Sequence, residues 1–460
     1  MKILLVFPRF RYISGQPPLG IASIYSYLKS KWPKIDVTVF DNTFVRNKRK
    51  GFENFIKENS FDVVGFSVMN TFISDVRSLA AIVRQYLPKA KILMGGPQVT
   101  VDSEYFLKLN LADVIILGEG EVTFSELVEK GCEPSGVKGT VYRKADEIIY
   151  EEAREMLEDL DELPITDRSI FDMDSYVKLW NNMDVVSNRL KGTSVMVSRG
   201  CPYQCSFCQP TLQKIFGKSV RKYSAERVIE ELEYLKEKYF LNAFVFEDDI
   251  LMIEKKWVSK ICDLMLERNL GMVWGCNIRA DLCDYDVLKK MHGAGLRTIN
   301  IGIESASQHI LDEVFKKGIK IEQVIDSVNM AKQLGLYVQG YFMLGHPRES
   351  KTDIKKTIKF ARQLDIDEAA FNITTPLPGT RLFDNDKNFI EKGCDNYDYY
   401  SRSVYKREAL QTARWMIYLY KQYAYFRFYS RPKLFVKQME NIFSKNGFMK
   451  FIYKLERILT

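Results

Sequence analysis

The chain has 460 residues, of which 46% are hydrophobic and 27% charged, and its net charge is +8. This length exceeds one ordinary hydrophobic core, so we expect two or three domains, and the composition is that of a globular protein. No apolar run is long enough to span a membrane, and the opening MKILLVF stops at Pro8, too early for a signal peptide, so the sequence predicts a cytoplasmic protein.

The basic excess lies at the C-terminal end of the chain. Residues 401–460 carry thirteen Lys or Arg and three Glu, a net charge of +10, which leaves −2 for residues 1–400. Any role of the positive charge therefore belongs to the C-terminal region.

Short apolar runs alternate with helical patterns across the N-terminal part of the chain. The predicted strands are KILLVFP at the start, DVTVFD (36–41), DVVGFSV (62–68), KILMGG (91–96) and ADVIILG (112–118). Apolar strands separated by helices are typical of a parallel sheet covered on both faces, in which ligands bind at the carboxyl ends of the strands. We therefore predict an α/β, Rossmann-like, doubly wound domain over residues 1–135.

A second alternating series follows residues 136–190, a polar and irregular segment that we interpret as a linker. Its predicted strands are TSVMVS (193–198), NAFVFED (242–248), GMVWGCNI (271–278), RTINIGIE (297–304), YVQGYFMLG (337–345) and EAAFNITTPL (368–377). Six strand–helix units predict a β/α barrel, complete or partial, over residues 191–400. Residues 401–460 are then a helical, aromatic and basic C-terminal region.

One tight cysteine cluster follows the first strand of the second series. The sequence SRGCPYQCSFC places Cys201, Cys205 and Cys208 with the spacing Cys-x3-Cys-x2-Cys. Three thiolates can hold three irons of a 4Fe-4S cluster and leave the fourth iron open to a substrate or cofactor. Zinc is the alternative, but a structural zinc site normally has four ligands, and the next cysteine is Cys262.

This CxxxCxxC motif after the first strand of a β/α barrel resembles the signature of radical S-adenosylmethionine enzymes. In that family S-adenosylmethionine chelates the open iron, and an electron from the cluster cleaves it to methionine and a 5′-deoxyadenosyl radical. Further matches along the barrel are EDD (247–249), NIRAD (277–281), NIGIES (300–305), GYFMLGHPRE (340–349) and TTPLPGT (374–380). The resemblance implies that the cofactor is bound by Phe207, Glu247, Arg279, Glu304 and Gly345.

Simpler roles stay open for several of these side chains. Asp248 and Asp249 end a strand, where an acidic residue often faces solvent or caps a helix. Arg279 suits a structural ion pair as well as the carboxylate of the cofactor. Glu304 directly follows an apolar strand, which favours a site role such as accepting hydrogen bonds from the ribose hydroxyls.

The N-terminal domain resembles that of the cobalamin-binding subgroup of these enzymes. Its matching segments are PPLG (17–20), GFSVMNT (65–71), GGPQVT (95–100) and GEGEVTF (118–124). Glycine turns let the backbone approach a large flat ligand and its nucleotide tail. The residues that the resemblance implies at this ligand are Ser67, Thr71, Gly95, Gly96, Gly118, Glu119 and Gly120.

The N-terminal domain contains no histidine, because the only three in the chain are His292, His309 and His346. Many cobalamin domains supply a histidine beneath cobalt, so this domain either binds cobalamin without that ligand, which we favour, or has lost the cofactor. A nicotinamide cofactor has less support, since no GxGxxG follows the first strand.

Tryptophan and tyrosine among basic residues in 401–460 suit three roles. These are a peripheral membrane surface, a nucleic-acid surface, and a helical cap that packs aromatic side chains on the barrel. The segment FYSRPKLFVKQ (428–438) resembles one in the subgroup that includes hopanoid methylases and the anaerobic magnesium-protoporphyrin monomethyl ester cyclase. We favour a cap that also faces a hydrophobic substrate, and we do not expect nucleic-acid binding.

The sequence thus predicts a cobalamin-dependent radical S-adenosylmethionine enzyme that modifies an unactivated carbon, by methyl transfer to a small-molecule or lipid-like substrate. Cyclisation or rearrangement is the second candidate, a methylthiotransferase the third, and a zinc-bearing binding protein with a basic tail the non-enzymatic alternative. The resemblance implies a 4Fe-4S cluster, S-adenosylmethionine and cobalamin as cofactors, and an electron donor such as flavodoxin or ferredoxin. Membrane association of the cytoplasmic protein stays open.

Overall fold

The computed structural model describes residues 1–8, 13–208, 210–391, 403–432, 434–436 and 439, without the side chains of 210–212. It divides into two compact units. The first comprises Met1–Tyr176 and Gln209–Arg221, and the second Val177–Cys208 and Lys222–Thr460.

Strands and helices alternate along most of both units. The strands are β1 (Lys2–Phe7), β2 (Asp36–Asp41), β3 (Val63–Ser67), β4 (Lys91–Gly95), β5 (Val114–Ile116), β6 (Thr140–Lys144), β7 (Glu147–Tyr150), β8 (Gly192–Val195), β9 (Ser198–Arg199), β10 (Arg221–Lys222), β11 (Ala243–Phe246), β12 (Val273–Ile278), β13 (Leu296–Glu304), β14 (Tyr337–Leu344) and β15 (Glu368–Ile373). The helices are α1 (Leu19–Lys31), α2 (Lys48–Glu58), α3 (Ile73–Tyr86), α4 (Pro97–Val101), α5 (Ser103–Lys108), α6 (Gly120–Glu129), α7 (Met173–Leu179), α8 (Pro210–Phe216), α9 (Ala225–Tyr239), α10 (Lys255–Glu267), α11 (Tyr285–Gly293), α12 (Ile321–Gln333), α13 (Lys351–Gln363), α14 (Arg381–Asp386) and α15 (Arg414–Tyr429).

The sheet of the first unit has five parallel strands in the order β2-β1-β3-β4-β5. Because the order reverses at β1, right-handed crossovers place helices on both faces, and α1 indeed packs with α6 while α2 packs with α3. The side chains of Ile3, Leu4 and Val6 in β1 are fully buried, as expected for an apolar strand between two helical layers. The predicted doubly wound sheet is confirmed.

The segment predicted as an irregular linker contributes to this sheet. Antiparallel strands β6 and β7 extend it beyond β5. Their hairpin turn places Ala145 at a φ of +53°, a backbone conformation that usually selects Gly or Asn. The sequence therefore lacks the residues by which such a hairpin is normally recognised.

The second unit is built on a curled parallel sheet in the order β8-β11-β12-β13-β14-β15, a partial β/α barrel. All six predicted strands are present, and their carboxyl ends lie along one edge of the sheet. This confirms the predicted partial barrel and collects the loops after β8, β11, β12, β13 and β14 at the same edge.

Helix α15 covers β15, the strand at one end of this sheet. The Tyr425 hydroxyl accepts a hydrogen bond from the Phe371 amide over 3.1 Å, and Arg431 donates to the Leu364 and Ile366 carbonyls. Free backbone groups at a sheet edge invite pairing with other chains, so this cover protects the edge. In the part of the chain that the structure describes, no helix is long and apolar enough to cross a bilayer.

Candidate active site

The cysteine loop begins at Cys201, three residues after the start of β9, and hydrogen bonds hold its centre in place. Gly200 has a φ of +100°, which only glycine adopts readily and which turns the chain away from β9. The Ser206 amide donates to the Phe315 carbonyl over 2.8 Å, and the Ser206 hydroxyl donates to the Val314 carbonyl over 2.5 Å. The Ser206 side chain is buried, so the middle of the loop is fixed, whereas Cys201 and Cys205 are partly exposed and Cys208 is exposed.

Cys201, Cys205 and Cys208 lie close enough for their charges to affect one another. Desolvation by the surrounding protein raises the pKa of the Cys208 thiol to about 12, and the charges of Cys205, Asp249 and Cys201 act in the same direction. The Cys208 residue is nevertheless exposed at the surface, so its thiol is accessible. Three mutually close thiols are a suitable donor set for a 4Fe-4S cluster, whose iron would lower these pKa values.

The spacing of these thiols differs from that of a site for a single ion. Among the described residues, no three Cys, His, Asp or Glu side chains are placed to hold one metal ion. A 4Fe-4S cluster is larger than an ion, and each of its irons takes one cysteine.

Arg279 connects this loop to the end of β12. Its Nη1 donates to Cys205 Sγ over 3.6 Å, and its guanidinium lies 3.8 Å from the centroid of the Tyr203 ring. It also donates to the Lys317 carbonyl and pairs with Asp281 over 2.8 Å. The predicted residue therefore lies at the cluster loop, where it acts both as a structural ion pair and as a donor to a cysteine sulfur.

Glu304 and Lys317 form a buried ion pair beside the same loop. The Lys317 ammonium lies 2.8 Å from Glu304 Oε1 and 5.6 Å from the centroid of the Phe207 ring. Glu304 has a φ of +65° at an irregularity in the pairing of β13 with β14. A non-glycine residue held in this conformation is strained, and such strain is frequent at functional sites. The structure thus brings the predicted Glu304 and Phe207 together through Lys317, while ribose binding by Glu304 stays a prediction.

The three acidic residues after β11 have different surroundings. Glu247 accepts hydrogen bonds from Ser194 and Asn182, over 3.0 and 3.1 Å. Burial raises the pKa of Asp248 to about 7, although hydrogen bonds from Val197 and Ser198, just before the cysteine loop, oppose this. Desolvation by the surrounding protein raises the pKa of Asp249 to about 6, and its charge in turn raises the pKa of Cys201 and Cys208. Of the three carboxylates, Asp249 is the one whose charge affects the thiols of the cysteine loop. Asp248 instead accepts hydrogen bonds from Val197 and Ser198, which precede that loop.

Gly345 lies where β14 ends and the GHPRE segment begins. Its φ is +90°, and a Cβ atom at this position would lie 2.6 Å from the side chain of Ile417 in α15. The Gly345 amide donates to Glu349 Oε2 over 2.6 Å, and burial raises the pKa of Glu349 to about 8. His346 Nδ1 accepts from the Arg348 amide, so Nε2 carries the proton and donates to Asp386 over 2.9 Å. Gly345 therefore has a packing role, and its contact with the cofactor stays a prediction.

The glycines predicted in the first unit lie at the carboxyl ends of β4 and β5. Gly96 has a φ of +106°, and a Cβ atom there would lie 2.9 Å from the Val68 carbonyl, so only glycine allows the turn. Gly95 is the last residue of β4, and Gly118, with a φ of +69°, follows β5. Gly120 opens α6. Together they form a glycine rim at the ends of these strands. A Cβ atom would lie 3.6 Å from the Ile215 carbonyl at Gly118 and 3.1 Å from the Ile24 side chain at Gly120, so these glycines permit close packing within the protein, and their contact with cobalamin stays a prediction.

Two buried polar atoms lie on this rim without a hydrogen-bond partner in the described structure. They are Thr71 Oγ1, just beyond β3, and Gln98 Oε1, in α4. Ser67 ends β3 itself. A buried hydroxyl or amide left unpaired costs free energy, so these atoms suit a ligand with polar groups, such as the tail of cobalamin.

Glu119 is already engaged by the protein. Its carboxylate pairs with Arg221 over 2.6 Å, and both side chains are largely buried. Arg221 belongs to the segment that follows the cysteine loop and forms part of the first unit, where α8 packs on α4. Direct contact of Glu119 with cobalamin stays a prediction.

Sequence reasoning missed the residues that connect the predicted ones. Lys317 and Tyr203 lie in segments without strand or helix periodicity, and Arg221 is more than 100 positions from Glu119 in the chain. The one usable signal was Gln98, which lies within the recognised segment GGPQVT. Contacts formed through loops leave no periodic trace in the sequence.

Comparison with known proteins decides the family. The B12 binding domain matches residues 14–128, and the Radical SAM superfamily matches residues 195–361. An uncharacterized methyltransferase from Pyrococcus horikoshii is 34% identical over 460 residues, which cover 98% of this chain and 96% of that protein. The chain belongs to the cobalamin-binding radical S-adenosylmethionine enzymes. The alternative hypothesis of a non-enzymatic zinc-binding protein is therefore rejected.

Two further comparisons give lower identities. The anaerobic magnesium-protoporphyrin IX monomethyl ester cyclase of Rubrivivax gelatinosus is 26% identical, covering 100% of this chain and 85% of that protein. The structure of the radical S-adenosylmethionine methyltransferase TsrM from Kitasatospora setae, with cobalamin and a 4Fe-4S cluster bound, matches with a TM-score of 0.71 at 18% identity. The match covers 83% of this chain and 77% of that chain, which establishes a common fold. The cofactors of the family are the 4Fe-4S cluster, S-adenosylmethionine and cobalamin.

Proposed function

We propose that this radical S-adenosylmethionine enzyme transfers a methyl group to an unactivated carbon of a small, hydrophobic or lipid-like substrate. The observation that carries the proposal is the near full-length similarity to a methyltransferase, together with two suitable sites: three close thiols in the second unit and a glycine rim with unpaired polar atoms in the first. The bound cofactors supply the electron, the radical and the methyl carrier.

The residues of the chain hold and orient these cofactors. Cys201, Cys205 and Cys208 would bind the cluster, and Arg279 would donate a hydrogen bond to one of its sulfur ligands. Asp249 offers an exposed carboxylate whose charge reaches Cys201, suited to the amino group of S-adenosylmethionine. The first unit contains no histidine, so it would hold cobalamin without a histidine ligand of its own.

Oxidative cyclisation is the second candidate. It is supported by the similarity to the Rubrivivax gelatinosus cyclase, which extends over the whole chain at lower identity. Methylthio transfer has less support, because the similar putative methylthiotransferase of Methanocaldococcus jannaschii matches only 70% of the chain.

Product analysis separates methyl transfer from cyclisation. Protein reconstituted anaerobically with iron, sulfide and hydroxocobalamin is incubated with S-adenosylmethionine, a reductant and a lipid extract. Methyl transfer requires one S-adenosylmethionine as methyl source and one as radical source, so S-adenosylhomocysteine and 5′-deoxyadenosine should accumulate together. A cyclised product formed together with 5′-deoxyadenosine and without S-adenosylhomocysteine would reject methyl transfer in favour of cyclisation.

Two further parts of the proposal concern partners. A small electron carrier such as flavodoxin or ferredoxin would reduce the cluster. Peripheral contact of the C-terminal region with a membrane would bring a lipid-like substrate within reach, and it is supported by the net charge of +10 over residues 401–460.

A further inference from the structure

One face of α15 is apolar and exposed to solvent. It consists of Trp415, Leu419, Tyr423 and Phe426, whose exposed fractions lie between 48% and 69%. Their spacing of four, four and three residues places them in a single line along the helix, called the exposed stripe below. Beyond the helix, Phe435 is also exposed.

The opposite face of α15 already accounts for the packing of the helix. Ile417, Ala424 and Phe428 are at most 1% exposed, and the Tyr425 hydroxyl accepts the hydrogen bond from β15. A surface helix of a globular protein normally carries polar residues on its outer face. The exposed stripe therefore exceeds what the fold requires, and a continuous apolar surface of this kind marks a binding surface.

The positive charge of residues 401–460 indicates which kind of partner the exposed stripe would bind. The last sixty residues carry a net charge of +10, so two copies docked through their stripes would bring like charges together. An anionic surface is favoured instead. Nucleic acid would be bound through exposed Lys and Arg, whereas the outermost positions of α15 are aromatic and aliphatic.

Aromatic side chains next to basic residues are typical of helices that lie in a membrane interface. Trp and Tyr prefer the level of the lipid headgroups, and Lys or Arg beside them attract anionic lipids. Arg427 lies beside the exposed stripe, with its guanidinium 5.9 Å from the centroid of the Tyr423 ring. At 16 residues, α15 is too short to span the bilayer and suits a position parallel to its surface.

We propose that the exposed stripe is the surface by which the protein binds anionic membranes, with α15 lying in the headgroup layer. This assignment rests on the membrane contact in the proposed function and names the residues that make it. None of the stripe residues is a predicted cofactor residue, so membrane binding and cofactor chemistry can be measured independently.

The test uses the full, anaerobically reconstituted chain and flotation with vesicles of phosphatidylcholine containing phosphatidylglycerol, or of phosphatidylcholine alone. The test variant is Leu419→Gln/Phe426→Gln. The matched control is Leu266→Gln/Phe240→Gln, because Leu266 is 51% exposed, close to the 52% of Leu419, and Phe240 is 80% exposed outside the stripe. We expect binding to anionic vesicles that weakens with salt, about a tenfold loss in the test variant, and no loss in the control.

Several results would overturn the assignment. These are no binding of the unmodified chain to anionic vesicles, equal binding by the test variant, or an equal loss in the control. A dimer that dissociates only in the test variant, or RNA binding that only this variant loses, would assign the stripe to those partners instead. Formation of 5′-deoxyadenosine without vesicles is measured in parallel: its absence in all proteins would reject the proposed function, while stripe-dependent vesicle binding would still stand.

Discussion

At the scale of single residues, Arg279 is the side chain that we expect to influence the cluster, because it donates to a sulfur atom of the cysteine loop. Its hydrogen bond to Cys205 Sγ would stabilise negative charge on a cluster ligand, and such bonds raise the reduction potential. We expect Arg279→Met to lower the potential of the reconstituted cluster by an amount on the order of tens of millivolts. Electron paramagnetic resonance during a redox titration measures this.

The control for this variant is Arg297→Met. Arg297 is near the start of β13 and donates to the backbone carbonyls of His292 and Leu296, away from the cysteine loop. An unchanged potential in Arg279→Met, with the full cluster signal retained, would contradict the assigned role of Arg279.

Lys317 and Glu304 depend on each other because both are buried, each side chain being 9% exposed. Removing one partner leaves an unpaired buried charge, so Lys317→Met should destabilise the protein by roughly 3–5 kcal/mol. Neutralising the partner as well, in Lys317→Met/Glu304→Gln, should recover part of this loss. Chemical denaturation of the three proteins provides the measurement, and a double variant less stable than Lys317→Met would argue against the pairing.

Glu349 gives the stability of the protein a specific pH dependence. Burial raises the pKa of Glu349 from 4.5 to about 8 in the folded state, so the folded protein keeps a proton that the unfolded chain loses. The stabilisation is complete below pH 4.5 and is lost as the pH rises through about 8. Glu349→Gln should remove up to about 1.4 kcal/mol per pH unit of this decline. Chemical denaturation at pH 5 to 8 measures the unfolding free energy of the unmodified protein and of Glu349→Gln. An equal decline with pH in the two proteins would show that Glu349 is ionised in the folded state.

At the scale of secondary-structure elements, α15 is a cap on the barrel, in addition to the membrane contact proposed for its exposed stripe. Ile417 is 1% exposed and packs against Gly345, so Ile417→Ala should cost roughly 2–5 kcal/mol of unfolding free energy. Leu419→Ala, on the exposed stripe of the same helix, should change it by less than about 0.5 kcal/mol. Equal effects of the two substitutions would contradict the capping role.

Elements differ in how well the sequence predicts them. The six strands of the second unit were predictable because each is a short apolar run followed by a helical pattern, and their order along the chain is their order in the sheet. Strands β6 and β7 were not, because they are half exposed and their turn contains no glycine. The buried and exposed faces of α15 could not be distinguished from the sequence either, because apolar residues on all sides of a helix give no clear helical period.

At the scale of the whole molecule, the sequence predicted the cofactors better than the contacts around them. Cysteine spacing and glycine turns are local patterns, so the cluster loop and the rim of the first unit could be located directly. The ion pairs Glu304–Lys317 and Glu119–Arg221 join distant segments, and only the folded chain brings them together. A helical region was predicted over residues 401–460, and its part beyond Met439 lies outside the described residues.

The central claim is that one chain holds both a 4Fe-4S cluster and cobalamin. The most direct measurement is the metal content of protein reconstituted anaerobically with iron, sulfide and hydroxocobalamin and then desalted. We expect about four irons and about one cobalt per chain, with iron lost in Cys205→Ala and retained in Cys262→Ala. Uptake of one zinc without iron, or desalted protein that holds iron but no cobalt, would contradict it.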